Sequence, residues 1–132
     1  MNHNQLQSKC FLHMWNEYPD LRYLCFSVTN NLTTETIDAR RQMAIQKSLG
    51  VVKGVLDLIF FYGGRMYGLD AKVGSDRLHK EQVEFIDAIR RQGGDGCEFR
   101  TFEEFKEIIG SIVRDGKLPD WVVRGGARLN EK

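Results

Sequence analysis

Cysteine and proline are scarce in this chain, with three of one and two of the other in 132 residues. Cys10, Cys25 and Cys97 are scattered without a CxxC pair. That excludes a zinc ribbon, and the odd thiols read as small buried hydrophobes rather than a disulfide framework. His3, His13 and His79 show no metal-ligand spacing. Charge of one sign is also missing: the net charge is +1, so any nucleic-acid surface must be local. No apolar run approaches the roughly 18 residues of a membrane span, and none has the form of a signal peptide. Unpaired thiols and no apolar segment lead to the expectation of a cytoplasmic setting with no membrane partner. There is no Walker loop, no GxGxxG and no Ser/His/Asp arrangement, which removes the common nucleotide-binding and acyl-transfer classes. Internal repeats and low-complexity linkers are absent too.

What is present is ordinary in bulk and unusual in one place. A hydrophobic content of 42% and a charged content of 28% describe one globular domain with a core. Residues 1–116 are read as that domain and 117–132 as a tail. The unusual place is Gly54 to Gln82, GVLDLIFFYGGRMYGLDAKVGSDRLHKEQ. Val55 to Tyr62 is an apolar run interrupted only by Asp57, and Arg65 to Val73 is a second strand carrying Asp70 and Lys72. Gly63-Gly64 between them is a hairpin signal, because tight turns need φ > 0.

Counting outward from that turn puts Asp57 directly opposite Asp70. Opposed residues share a face, with Cβ atoms roughly 4.5–5.5 Å apart. Alternation puts Lys72 on the same face as Asp70. Opposed like charges and buried carboxylates are both costly, and a divalent cation removes both costs. The spacing alone also admits a plainer reading, in which one Asp sits at a solvated strand end and Lys72 merely pairs with it.

The rest of the chain supplies the frame. Residues 4–17 read as a helix with Leu6, Cys10, His13, Met14 and Trp15 broadly on one side. Leu21 to Val28 reads as a strand closed by Asn30-Asn31. Thr33 to Leu49 reads as a helix carrying Arg40, Arg41 and Lys47, either a solvated surface or a phosphate-contacting face. Residues 78–92 form a helix whose stripe is Leu78, Phe85, Ile86 and Ile89. Gln82 lies on that inward stripe and needs a partner there, either buried backbone or the acids. Cys97 to Arg100 is a short strand. Thr101-x-x-Glu104 is a capping box opening a helix with stripe Phe102, Phe105, Ile108, Ile109, Ile112 and Val113. The tail holds Trp121, Arg124 and Arg128, whose role as disordered segment, partner contact or DNA contact stays open. The order α-β-α-β-β-α-β-α implies an α/β fold, a mixed central sheet flanked by helices on both faces.

Gly54-x-x-Asp57-Leu58, then Asp70-Ala71-Lys72, then Gln82 in the next helix, resembles the PD-(D/E)XK nuclease superfamily, and specifically a stand-alone VRR-NUC domain of the phage and bacterial type. The resemblance covers roughly residues 4–112 and includes Gln7, Asn30-Asn31, Gly50-Val51-x-x-Gly54 and Gly93. It implies a restriction-endonuclease-like fold and Mg²⁺- or Mn²⁺-dependent hydrolysis of DNA phosphodiesters. Asp57, Asp70 and the Ala71 carbonyl would hold the metal. Lys72 would orient or help deprotonate the attacking water, and Gln82 would support the site. Gln7 and Asn4 are possible supporting residues, and Arg40, Arg41, Lys53 and Lys80 candidate DNA contacts. Members of this type tend to act as homodimers on branched DNA such as four-way junctions, in a bacterial cell or phage-infected host.

The chain departs from the pattern in three places. Asp70 stands where Glu is usual. Leu56 replaces a proline that is not a ligand. No acid occurs between Met1 and Cys10, whereas the pattern often has a Glu near position 4, and Glu17 is at the wrong end of the helix. That last departure motivates an alternative: a catalytically impaired DNA-binding or assembly module on the same fold.

Overall fold

The computed structural model describes residues 1–28, 37–50 and 52–124. In chain order these form α1 (His3–Glu17), a short 3-10 helix (Pro19–Leu21), β1 (Cys25–Ser27), α2 (Ile37–Ser48), β2 (Leu58–Tyr62), β3 (Arg65–Ala71), α3 (Lys80–Arg91), β4 (Asp95–Phe99) and α4 (Phe102–Asp115). The strands make one sheet in the order β1-β2-β3-β4. The β1·β2 and β2·β3 pairs are antiparallel, and β4 is parallel to β3. The expected element order and mixed sheet are therefore present. No helix among the described residues is long and apolar enough to cross a membrane.

The hairpin has the register counted from its glycines. Tyr62 pairs with Arg65 and Leu58 with Leu69. Gly63 and Gly64 both have positive φ, 59° and 77°, the requirement of a two-residue turn whose twist matches the strands. Asp57 lies one residue before β2, so it stands at the end of the ladder. Val28 N–H donates to the Asp57 carbonyl at 3.2 Å and fixes its backbone.

One face of the sheet carries Leu58, Phe60, Tyr67, Leu69, Ala71, Cys97 and Phe99, all buried. They pack with Leu6, Cys10 and Met14 of α1 and Phe105, Ile108, Ile109 and Ile112 of α4. Each fully buried side chain of this size contributes about 1.5–3 kcal/mol. The three cysteines are free and buried, as their scatter suggested. Burial pushes the Cys10 and Cys25 thiols up to about 12, which leaves them poor nucleophiles at neutral pH.

The other face receives α3 through Val83, Ile86 and Ile89. Two glycines let it come close. Gly68 and Gly96 are register partners on adjacent strands. A Cβ on Gly96 would meet the Gly68 carbonyl oxygen at 2.9 Å and Ile86 Cγ1 at 3.0 Å. This close seat brings the first turn of α3 over the end of β3.

Several boundaries differ from the sequence expectation. β1 is limited to Cys25–Ser27, because the 3-10 turn after Pro19 and the positive φ of Tyr23, 73°, occupy the residues before it. The expected Asn30-Asn31 stop lies outside the described residues, as do the first turn expected from Thr33, Val51 of the Gly50-Val51 pair, and Arg128. α3 begins at Lys80, with Leu78 left in the preceding loop. Its start is set by Gln82, whose Oε1 accepts the His79 N–H at 2.9 Å.

At α4, Thr101 Oγ1 accepts the Glu104 N–H at 3.0 Å, but Glu104 Oε1 reaches past Thr101 to the Arg100 N–H at 2.9 Å. Only half of the expected capping box forms. Residues 117–124 pack on the domain: Leu118 and Val122 are buried, and Glu98 N–H donates to the Val123 carbonyl at 2.9 Å. Arg124 forks onto Asp95, with Nε–Oδ1 and NH2–Oδ2 both 3.0 Å. This segment covers part of the β4 edge, and an uncovered edge would invite pairing with another chain.

Candidate metal centre

Two carboxylates meet at the end of the hairpin, and each is anchored by the other's strand. Asp57 N–H donates to Asp70 Oδ1 at 3.0 Å. Ala71 N–H donates to Asp57 Oδ2 at 3.0 Å. The crossed pair holds both acids side by side without a covalent link. Lys72 N–H points the other way, to the Phe99 carbonyl at 2.9 Å. In an extended strand a residue's N–H and C=O leave on the same edge, so the Ala71 carbonyl faces the Asp57 edge.

Asp70 is 1% exposed and Lys72 5%. Lys72 Nζ is 2.9 Å from Asp70 Oδ2 and donates to Gln82 Oε1 at 3.1 Å. Gln82 Nε2 donates to the same Asp70 oxygen at 3.3 Å. Gln82 thus bridges acid and lysine while capping its own helix. The inward placement read from the α3 stripe holds, with both buried partners and backbone as its targets. Burial pushes the Asp70 carboxyl up to about 6, and the neighbouring Asp57 charge adds to this while Lys72 opposes it.

The first helix contributes a residue that the sequence spacing did not single out. His3 Nε2 lies 2.8 Å from Asp57 Oδ2. Burial alone would lower the His3 imidazole, but the hydrogen bond and charge of Asp57 outweigh it and hold the group above its ordinary value. The missing acid near Asn4 is answered by a histidine one residue earlier. The helix starts one residue before the expected 4–17, at His3, because Asn2 caps it; an N-cap residue type at position 2 is the signal that would have found this. Among the described residues no three His, Cys, Asp or Glu side chains form a ready-made cage; His3, Lys72 and Gln82 hydrogen-bond to the two acids instead.

Asp57, His3 and Gln82 open into a cleft of about 480 Å³ lined also by Asn4, Gln7, Lys53 and His79 among others, with Asp70 and Lys72 buried outside its lining. Gly54 is part of its wall and has φ 96°; a Cβ there would fall 2.5 Å from the Glu81 carbonyl oxygen. The structure therefore places Asn4, Gln7 and Lys53 at the cleft. Arg40, Arg41 and Lys80 are exposed and do not line it. Arg41 instead lies 3.9 Å from Asp38 on its own helix. A larger groove of about 700 Å³ beside α4 is lined by Glu103, Lys106, Arg114 and their neighbours and holds no buried acid pair.

A second ion pair braces the site. Glu98 on β4 is in register with Asp70 and is buried. Arg100 Nε donates to Glu98 Oε2 at 2.7 Å, and its NH1 donates to the Gly74 carbonyl at 3.0 Å. Arg100 thereby ties the loop between Lys72 and Gln82 to β4.

The donor set suits a divalent cation: two anchored carboxylates, a backbone carbonyl on the same edge and an imidazole. Asp57 Oδ1 takes no hydrogen bond from the described residues, and the buried Asp70 charge is uncomfortable enough to raise its pKa. No family model matches the chain, and neither a curated protein nor a solved structure does.

Proposed function

We propose that this chain is a divalent-cation-dependent phosphodiesterase. More narrowly, it is a structure-selective DNA endonuclease with a restriction-endonuclease-like arrangement. The observation that carries the reading is the crossed Asp57/Asp70 pair, with Lys72 and Gln82 converging on the more buried acid. The resemblance to stand-alone VRR-NUC domains supports the choice of DNA, a branched substrate such as a four-way junction, and a homodimer. A two-fold dimer presents two sites to symmetry-related strands.

Asp57 and Asp70, with the Ala71 carbonyl, would hold Mg²⁺ or Mn²⁺. Such an ion supplies an acidified water and neutralises charge building on the scissile phosphate. The chain's own groups do the rest. Lys72 is held at a fixed angle by Asp70 and Gln82, so its ammonium is pre-positioned to orient an attacking water or hold a proton beside it. Gln82 fixes Lys72 from a helix rather than a loop. Lys53 at the cleft rim supplies positive charge for a phosphate backbone.

Cleavage of a labelled four-way junction in Mg²⁺ or Mn²⁺ tests the reading. Asp70→Ala is expected to abolish cleavage while circular dichroism shows an intact fold. Unchanged cleavage in that variant would remove Asp70 from the chemistry. Junction binding by the wild type without turnover in Mn²⁺ would instead make the chain a binding or assembly module.

A further inference from the structure

We propose that His3 is a nitrogen donor to this cation site, so that the centre takes first-row transition ions such as Mn²⁺ or Co²⁺ in preference to Mg²⁺. The proposal rests on the metal-centre reading above and adds a ligand and a selectivity to it.

The position of His3 is set by secondary structure. It is the first residue of α1, whose start is closed by reciprocal bonds: Gln5 N–H to Asn2 Oδ1 at 2.8 Å and Asn2 N–H to Gln5 Oε1 at 2.9 Å. The helix is then bolted to the sheet by Leu6, Cys10 and Met14, all buried. Its first turn contains no acid, so α1 presents only His3, Asn4 and Gln7 as polar groups near the acids, all at the cleft wall. Of these, His3 alone reaches a carboxylate.

The distance also fits. Two cis ligands of an octahedral cation with bonds of about 2.1 Å are about 3.0 Å apart. His3 Nε2 and Asp57 Oδ2 are 2.8 Å apart, so the two groups can share an ion with little movement of either backbone. Asp57 Oδ2 is steadied by the Ala71 N–H, and the opposite ring nitrogen, His3 Nδ1, faces Asn4 Oδ1 at 3.5 Å. An outer partner of that kind orients a ligating imidazole and sets its tautomer. Mg²⁺ is hard and favours oxygen, whereas imidazole gains on transition ions in the order Mn²⁺ < Fe²⁺ < Co²⁺. One imidazole among oxygens therefore tilts the centre away from Mg²⁺.

The test is Mn²⁺ binding to the full chain, read by electron paramagnetic resonance, with Mg²⁺ as competitor. Electron spin-echo modulation reads ¹⁴N coupled to the bound Mn²⁺. The wild type is expected to bind Mn²⁺ with ¹⁴N modulation. In His3→Gln the modulation disappears and the Mn²⁺-over-Mg²⁺ preference falls about tenfold or more. His79→Gln, which alters the other histidine of the cleft, is expected to keep both. Bound Mn²⁺ without ¹⁴N modulation, or modulation that survives His3→Gln, overturns the proposal while leaving the carboxylate site intact. Mn²⁺ binding that is absent, or unaffected by Asp57→Asn, overturns the metal-centre reading and this proposal with it.

Discussion

The buried Asp70 charge makes the protein's stability depend on pH and on cations in a way that can be measured without any substrate. Its folded-state pKa is raised from 3.8 to about 6. A raised group stabilises the fold fully below its unfolded pKa, and that contribution is lost as pH rises through the folded value. Linkage from this upward shift makes the fold more stable at pH 5 than at pH 7.5, by on the order of 1 kcal/mol. Unfolding entropy of about 2.1 cal/mol/K per residue converts this to roughly a few °C in Tm. His3 is also raised, by Asp57, and adds a slope of the same sign. The informative quantity is therefore the difference between the wild type and Asp70→Asn, followed by thermal melts in metal-free buffer. Asp70→Asn should lose this pH 5 advantage. At pH 7.5, Mn²⁺ at 100 times its Kd should stabilise the wild type by about 2.7 kcal/mol, or about 10 °C, and Asp70→Asn hardly at all. Parallel pH curves for the two proteins would refute the argument that Asp70 carries a buried, cation-seeking charge.

Other perturbations separate the parts of the site. Gln82→Ala removes the bridge between Asp70 and Lys72 and the α3 cap; junction cleavage should fall about 10–100-fold and Tm should drop as well, whereas full activity in the folded variant would make Gln82 only a helix cap. Gly54→Ala drives a Cβ into the Glu81 carbonyl at a positive φ and should cost about 2–4 kcal/mol in urea unfolding; an unmoved midpoint contradicts the close approach. Arg100→Ala removes the 2.7 Å ion pair with buried Glu98 and should lower the midpoint of chemical denaturation; an unmoved midpoint would show that the pair does not brace the fold. Thr101→Ala should cost about 1 kcal/mol through the lost α4 cap, with no effect on cation binding.

Much of the centre was legible because a hairpin is a local object. Gly63-Gly64 dictates the turn, the turn dictates the register, and the register puts Asp57 against Asp70 with Lys72 on the same face. The α3 stripe likewise turned Gln82 inward by helical period alone. The short β1 and the later start of α3 were less legible. The first depends on a positive φ at Tyr23, which no composition rule favours. The second depends on a glutamine side chain choosing its own helix's N–H.

Sequence alone determined the element order, the mixed sheet and the pairing of the two acids, because each follows from short-range turn chemistry and side-chain period. The tertiary structure decided which distant residues join them. His3 lies 54 positions before Asp57 and arrives only because Leu6, Cys10 and Met14 seat α1 on the sheet. Arg40, Arg41 and Lys80 are left outside the cleft because their helices turn those side chains to solvent. Such placements depend on how whole faces pack, and no window of neighbouring residues contains that information.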